Sequence, residues 1–282
     1  MAEIRIVTDS TSDLPPAVAR EHGIDIIPLS VIHKGKTYLD GVDITPDQFY
    51  PMLTGGELPK TSQPTLHQFN EVFRRHLDAG REVISLHISG GLSSTVATAK
   101  SAASEFASDR IHVIDSGFLS YALAFQALEA AALARAGRTA EQVLERLARL
   151  RERMELLFTL DTLLYLEKGG RIGKAASFLG SLLNIKPVIR VDNGTYVPAG
   201  RGRSTKQALA AIVQYLREKF GSERVRVAVG QGRAEEQAKV LAELLVAALN
   251  VDDAPVLFEV GPVLGVHTGP GTVGTAVYPV GT

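Results

Sequence analysis

The chain has 282 residues, 45% of them apolar, and its 30 basic and 31 acidic side chains leave a net charge of −1. That length admits one large or two ordinary domains, and the charge balance argues against a nucleic-acid binder, which needs a basic patch or a raised isoelectric point. With no cysteine, disulfides, thiolate metal sites and cysteine nucleophiles are excluded.

The first residues, MAEIRIVTDS, hold no apolar signal core, and no run of about 18 apolar residues occurs, so a soluble, cytoplasmic protein is expected. The seven histidines form no H-x-x-x-H pair, so no metal site is expected. Ile4 to Val7 reads as a strand that delivers Thr8-Asp9-Ser10-Thr11-Ser12-Asp13 at its C-terminal end, where open α/β sheets place ligands. This cluster reads either as a capped turn or as a grip on a metal or polar head group. Asp13 is the expected N-cap of a helix opened by Leu14-Pro15-Pro16.

Ile24 to Ile32 reads as strand broken at Pro28, followed by a small hairpin through Lys34-Gly35-Lys36 into Thr37 to Leu39. Thr45 caps a short helix over Pro46 to Leu53. Pro64 holds Gln63 extended, and Thr65 caps a helix from Leu66 to Ala79. The segment Thr61-Ser62-Gln63-Pro64-Thr65 is therefore expected to be a rigid, hydroxyl-bearing loop between two helices.

Residues 83–99, VISLHISGGLSSTVATA, join an apolar strand to an Ala- and Thr-rich helix. Between them, Ser89-Gly90-Gly91-Leu92-Ser93-Ser94-Thr95 sets two glycines and three hydroxyls at a helix start, where free N–H groups and the helix dipole favour an anion. The loop has no acid, base or metal ligand, so it suits holding a carboxylate or phosphate rather than breaking a bond. A plain Ser-capped turn is the alternative reading. Ile111 to Ile114 is a strand ending in Asp115-Ser116-Gly117. A long Ala/Leu helix from Leu119 to Ala136 follows, then a second from the Thr139 cap to about Glu155, with Leu144, Leu147 and Leu150 on one face. Alternating strands and helices predict a mostly parallel sheet covered on both faces, a three-layer α/β/α domain over residues 1–153.

Residues 154–282 mix hairpin and strand–helix–strand signals, which predicts a mixed-sheet α/β domain. Leu156 to Leu160 is strand, Asp161 caps a helix over Thr162 to Lys168, and Glu167-Lys168-Gly169-Gly170-Arg171-Ile172-Gly173 is a glycine-rich break. Ala175 to Leu183 is strongly apolar. Strands at Asn184 to Val191 and Thr195 to Ala199 flank the turn signal Asp192-Asn193-Gly194. Ser204 caps a helix over Thr205 to Phe220. Strand, helix and strand follow at Arg224 to Val229, Ala234 to Leu249 and Val256 to Val260, and Thr272 to Tyr278 is the last strand. Gly261 to Gly271 reads as a glycine-punctuated loop carrying His267 and Thr268.

Eight motifs now stand in order: TDSTSDLP near the start, KTSQPT at 60–65, SGGLSST at 89–95, DS at 115–116, LEKGGRI at 166–172, NIKPVI at 184–189, RSTKQAL at 203–209 and HTGPG at 267–271. Together they closely resemble the DegV family, known as the fatty-acid-binding subunit of bacterial fatty acid kinase, over essentially the whole chain. Ser94 departs from the pattern, since many members carry Gly there. The resemblance implies a two-domain α/β protein that binds one long-chain fatty acid such as palmitate and has no cofactor. The carboxylate would be held by Thr61 and Ser93, with Ser62, Ser94, Ser116, His267 and Thr268 near the head group. The resemblance further implies an ATP-dependent kinase partner that makes an acyl phosphate for phospholipid synthesis, with Arg171 and Arg203 at surface positions for docking it. Two neutral hydroxyls and helix N-terminal N–H groups can satisfy a buried carboxylate without a countercharge. Candidate tunnel residues are Phe178 to Leu183 and Ile185 to Ile189.

Two enzymatic alternatives compete. In an esterase, Ser93 would be the nucleophile with His267 and Asp9 or Asp115, but no G-x-S-x-G elbow surrounds it. A phosphate-binding kinase or isomerase would need a G-x-x-x-x-G-K-[ST] loop, which is absent, and the candidate anion loop lacks a lysine.

Overall fold

The computed structural model describes residues 2–54, 56–178 and 185–281. In chain order, the first elements are β1 (Ile4–Asp9), α1 (Pro16–His22), β2 (Ile24–Ile27), β3 (Ser30–His33), β4 (Lys36–Leu39), α2 (Pro46–Phe49), β5 (Lys60–Ser62) and α3 (Leu66–Asp78). They continue with β6 (Glu82–His87), α4 (Thr95–Ser104), β7 (Ile111–Asp115), α5 (Ser120–Arg135), α6 (Ala140–Arg153), β8 (Glu155–Thr159) and α7 (Leu164–Lys168). The remainder are β9 (Lys186–Asp192), β10 (Thr195–Gly202), α8 (Thr205–Phe220), β11 (Arg224–Gly232), α9 (Glu235–Ala248), β12 (Asn250–Val251), β13 (Val256–Glu259), α10 (Pro262–Thr268) and β14 (Thr272–Pro279).

Strands β2, β1, β6 and β7 lie side by side, all parallel. The period-2 alternation of strands sends successive side chains to opposite faces. Val7 and Val83 meet Phe69 and Phe73 of α3 and Ala99 of α4, whereas Ile6 and Ile84 meet α5. The second sheet runs β10-β9-β8-β14-β11-β12, with β13 also paired to β11. It is antiparallel except where β11 meets β12 and β13. Leu157, Val229 and Val277 face Ile212 and Leu216 of α8 and Leu241 and Leu245 of α9. Leu156, Ala228 and Ala276 face the other way, into the core shared with α5 and α6.

Helix α5 therefore lies between the two sheets. Its residues Ser120 through Ala127, with Ala130 and Ala131, are buried, which is why its sequence is apolar on every face rather than striped. A third, small antiparallel sheet, β4-β3-β5, closes one side. Val31 of β3, with Leu29, Phe49 and Tyr50, packs on Val263 and Val266 of α10. That contact brings the Thr61 strand to the C-terminal part of the chain.

Several expectations are corrected. Residues 60–62 are a strand registered on β3, Val31 opposite Thr61, and not a loop; Thr65 does cap α3, in a capping box with Gln68. Gly261 to Gly271 is not a loop throughout, because Pro262–Thr268 is helical, with proline in the tolerated first turn. Asp13 does not cap α1, whose N-cap is Pro15; Asp13 is half-buried and accepts from the Ser120 hydroxyl and the Gly261 N–H instead. Asp161 caps nothing: α7 starts three residues later at Leu164, and the carboxylate bonds Lys186 at 2.6 Å. Of the expected tunnel run, residues 179–183 lie outside the described residues.

Candidate ligand-binding site

Thr61 and His267 meet although 206 residues separate them. Thr61 Oγ1 and His267 Nε2 are 2.8 Å apart. The pairing of β5 with β3, and of β3 with α10, sets this contact. His267 is 9% exposed. Burial, and secondarily the Arg171 charge, push its imidazole down to about 4, so the ring is neutral at pH 7. Its Nδ1 has no hydrogen-bond partner among the described residues and lies on Gly169, where a Cβ would collide with it. A neutral ring with its proton on Nε2 donates to Thr61 Oγ1 and frees the threonine O–H to donate outward.

The loop after β6 supplies the second hydroxyl. Ser93 Oγ lies 2.8 Å from Thr95 Oγ1 and accepts from the Thr95 N–H at 3.3 Å. Ser94 occupies the cap position of α4 but its side chain caps nothing; only its carbonyl is used, by Thr98 Oγ1. The hydroxyl that meets the α4 N-terminus is that of Ser93, through the Thr95 N–H. The loop's glycines have a packing reason. The Ser89 hydroxyl donates to the Gly194 carbonyl at 2.8 Å, and a Cβ on Gly91 would come within 2.6 Å of that oxygen. The turn of the β9–β10 hairpin is seated on Gly91, so this glycine serves chain docking rather than anion approach.

Arg171 ties the two halves of the site together. Its Nε donates to the Leu92 carbonyl at 3.3 Å and its Nη1 to the Gly169 carbonyl at 2.8 Å. A guanidinium therefore stands closer to the site than a clamp of neutral hydroxyls anticipates, although its side chain remains exposed. Arg203 is exposed just before α8, with its backbone N–H donating to Gln207 at 2.8 Å.

Beside His267 lies a narrow apolar cavity of about 40 Å³, below the usual range of small-molecule sites. Leu264 and Thr268 of α10 form one wall. Phe158, Tyr196 and Phe258 supply the rings and Ser120 a hydroxyl. Its floor is the cross-strand pair Gly230 and Gly274. A Cβ on Gly274 would lie 2.7 Å from Phe158 Cβ, and one on Gly230 would strike the Phe258 ring. Thr268 donates to the Leu264 carbonyl at 3.2 Å and borders this cavity. None of residues 185–189 lines it: Val188 and Ile189 are packed into cores instead.

Two expected head-group residues are otherwise engaged. The Ser116 hydroxyl, buried, donates to the Phe118 carbonyl and accepts from its N–H, both at 3.1 Å. Ser62 Oγ donates to the Gln63 carbonyl at 3.2 Å. The esterase alternative finds no support in the bonding. Asp9 bonds His87 at 3.0 Å and the Ile88 N–H at 2.9 Å, in full burial. Asp115 accepts from the N–H groups of Gly90 and Gly117, at 3.1 and 2.8 Å. Neither carboxylate orients His267. Among the described residues no group of His, Asp or Glu could hold a metal ion, and no helix is long and apolar enough to cross a membrane.

Sequence reasoning missed the backing of the imidazole by Gly169 and the hairpin seated on Gly91. The repeated glycines of LEKGGRI and SGGL were the signal for both, but a glycine announces a close approach without naming what approaches.

Residues 3–280 match the family model described as "Uncharacterised protein, DegV family". A DegV domain-containing protein of Deinococcus radiodurans is 41% identical over 281 residues, covering 98% of this chain and 99% of that protein. Among solved structures, one described as showing fatty acid binding of a DegV family protein from Thermus thermophilus superposes with a TM-score of 0.94 at 39% identity, covering 99% of this chain and 100% of that one. DegV from Bacillus subtilis, described as a fatty acid binding protein, gives 0.89 at 32% identity, with coverage of 99% and 100%. A stearic-acid-binding protein from Eubacterium ventriosum gives 0.90 at 30% identity, with coverage of 99% and 98%.

Proposed function

The chain belongs to the DegV family, and on that premise we propose that it binds one long-chain fatty acid and presents it to a partner kinase. The observation that carries this reading is a neutral, buried His267 bonded to Thr61 at 2.8 Å beside an apolar cavity. Fatty-acid-binding relatives of the same fold support it.

In this reading His267 Nε2–H donates to Thr61, and Thr61 and Ser93 donate their hydroxyl protons to the two carboxylate oxygens. Charge-assisted bonds of this kind are the strong ones. Thr268 borders the head group and Ser62 and Ser94 lie at its rim. Ser116 enters only by supporting the turn at 116–118. The tail lies on the Gly230–Gly274 floor. Burying about 0.8 kcal/mol per CH₂, about a dozen methylenes offer about 10 kcal/mol before the costs of binding. Residues 1–153 then supply the two hydroxyl-bearing segments, and residues 154–282 supply His267 and most of the cavity wall.

The kinase step needs an exposed carboxylate oxygen. That oxygen attacks the γ-phosphorus of ATP, the bond to the ADP oxygen breaks, and an acyl phosphate forms. Arg171 and Arg203 are exposed and suit docking of the kinase. This chain performs no chemistry of its own in that scheme; it is a cytoplasmic lipid carrier with no cofactor, and the acyl phosphate feeds phospholipid synthesis.

Denaturing extraction of the purified protein followed by lipid mass spectrometry tests the reading. A stoichiometric long-chain fatty acid is expected. Absence of lipid, together with ester hydrolysis abolished by Ser93→Ala, would overturn it in favour of the esterase.

A further inference from the structure

The apolar cavity beside His267 measures about 40 Å³, little more than the roughly 30 Å³ share of one water. A long acyl tail does not fit it as it stands, and Phe258 is the obstacle. Phe258 is registered opposite Gly230 of β11, and its ring tip lies where a side chain on Gly230 would stand. The floor beneath is built of small residues for two steps, Gly230 across from Gly274 and Ala228 across from Ala276. Such a floor leaves a lane above it, and the Phe258 ring lies in that lane.

A second cavity, of about 270 Å³, lies past the ring. Three elements pass from the first cavity to the second in succession. On β13, Phe258 borders the first, and Val256, two residues away on the same strand face, borders the second. On β14, Gly274 and Ala276 border the first and Tyr278, on their face, the second. On α5, Leu119 and Ser120 border the first and Tyr121 and Phe125 the second. The partition is the ring pair Phe258–Tyr121, with centroids 4.8 Å apart and planes inclined by 32°. Tyr121 packs edge-on against Phe125 at 5.1 Å, and Phe125 against Tyr278 at 4.9 Å.

The two halves of the partition are not held equally. Tyr121 is buried in the core between the sheets. Phe258 is half-buried, on a strand of four residues that pairs with β11 alone among the described strands. Its neighbours Val256 and Leu257 are exposed. Phe258 is therefore the ring with room to turn. Arg226 and Asp253, both exposed, also border the second cavity, so a tail that reached it would run towards solvent.

We propose that Phe258 is a plug in the acyl lane and the specificity-determining residue for tail length: the tail enters against its ring, and the lane runs on into the second cavity only when that ring leaves Tyr121. The proposal rests on the fatty acid reading.

Competition of laurate, palmitate and stearate against a fluorescent fatty acid on the delipidated chain, with a thermal melt for each variant, tests it. Each further methylene that finds an apolar berth is worth about fourfold in affinity. Phe258→Ala is expected to raise the ratio of stearate to laurate affinity at least about fivefold over wild type, and Phe258→Leu at least about twofold. The ratio cancels what the carboxylate end contributes. Val256→Phe, which fills the second cavity from an exposed position, is expected to return the ratio of Phe258→Ala to that of wild type. A smaller rise in a folded Phe258→Ala overturns the proposal, and so does a rise that Val256→Phe leaves in place. If Phe258→Ala does not fold, an unchanged ratio in Phe258→Leu overturns it. Failure of wild type to bind any of the three acids removes the fatty acid reading itself, and the plug with it.

Discussion

Thr61 and His267 set one another's hydrogen-bonding state, and a substitution at either changes what the other can offer a ligand. Removing one charge-assisted hydrogen bond costs about 1.5–3 kcal/mol, so Thr61→Ala and Ser93→Ala should each weaken fatty acid binding about 10- to 100-fold with the fold intact. Equilibrium binding beside circular dichroism checks this, and unchanged affinity in the double variant would place the head group elsewhere. His267 adds a pH dependence of defined sign. Its folded pKa, about 4, lies below the ordinary imidazole value of 6.5. Its contribution to stability is therefore complete above about pH 6.5 and is lost as pH falls towards 4, because the unfolded chain takes up the proton first. The melting temperature should drop more steeply over that interval in wild type than in His267→Gln; equal slopes would contradict a buried neutral ring. The hydroxyl types were legible in the sequence, but their partners were not. A contact across 206 positions follows from sheet pairing, and Gly261, Gly265 and Gly269 punctuate a segment that tertiary packing nonetheless makes helical.

At the scale of elements, the hairpin of β9 and β10 is anchored twice, by the pairing of β9 with β8 and by its turn seated on the loop after β6. The Gly194 carbonyl sits in the space a side chain on Gly91 would fill. Gly91→Ala should therefore destabilise the protein by about 1–3 kcal/mol, as other forced overpackings do, and loosen the β9–β10 turn. Chemical denaturation with hydrogen exchange at Asn193 and Gly194 measures both effects, and wild-type stability would show that the turn can move aside. The strands, their alternation and most helices were readable, because Thr45, Thr65, Thr139 and Ser204 cap the helices they precede. The two aspartates read as caps, Asp13 and Asp161, turned to other partners. Local cap chemistry competes with any stronger acceptor demand the fold creates, and the sequence does not reveal that demand.

For the whole molecule, layering decides what each surface is for. The parallel sheet, α5 with α6, and the mixed sheet share a core, so the interior is assembled from both ends of the chain. A kinase partner of the kind proposed has to work at the rim. Arg171→Ala and Arg203→Ala are each expected to lower acyl phosphate formation by a partner kinase at least about fivefold, while fatty acid affinity stays within about threefold of wild type. Loss of affinity on removing Arg171, which straps Leu92 to Gly169, would give it to the pocket instead. Parallel and mixed sheets and their order along the chain were legible from the alternation of elements; the position of α5 between them was visible only as a helix apolar on every face.

Strand β14 lies inside the mixed sheet, between β8 and β11, yet it follows both of them, and every other described strand, in the chain. On the ribosome β8 and β11 wait with open edges until residues 272–279 have emerged from the exit tunnel, and α10 with His267 emerges just ahead of them. The apolar cavity, whose floor joins Gly230 to Gly274, consequently does not exist until β14 has paired. A chain that stops short of β14 leaves one open edge on each of β8 and β11, and such edges invite aggregation.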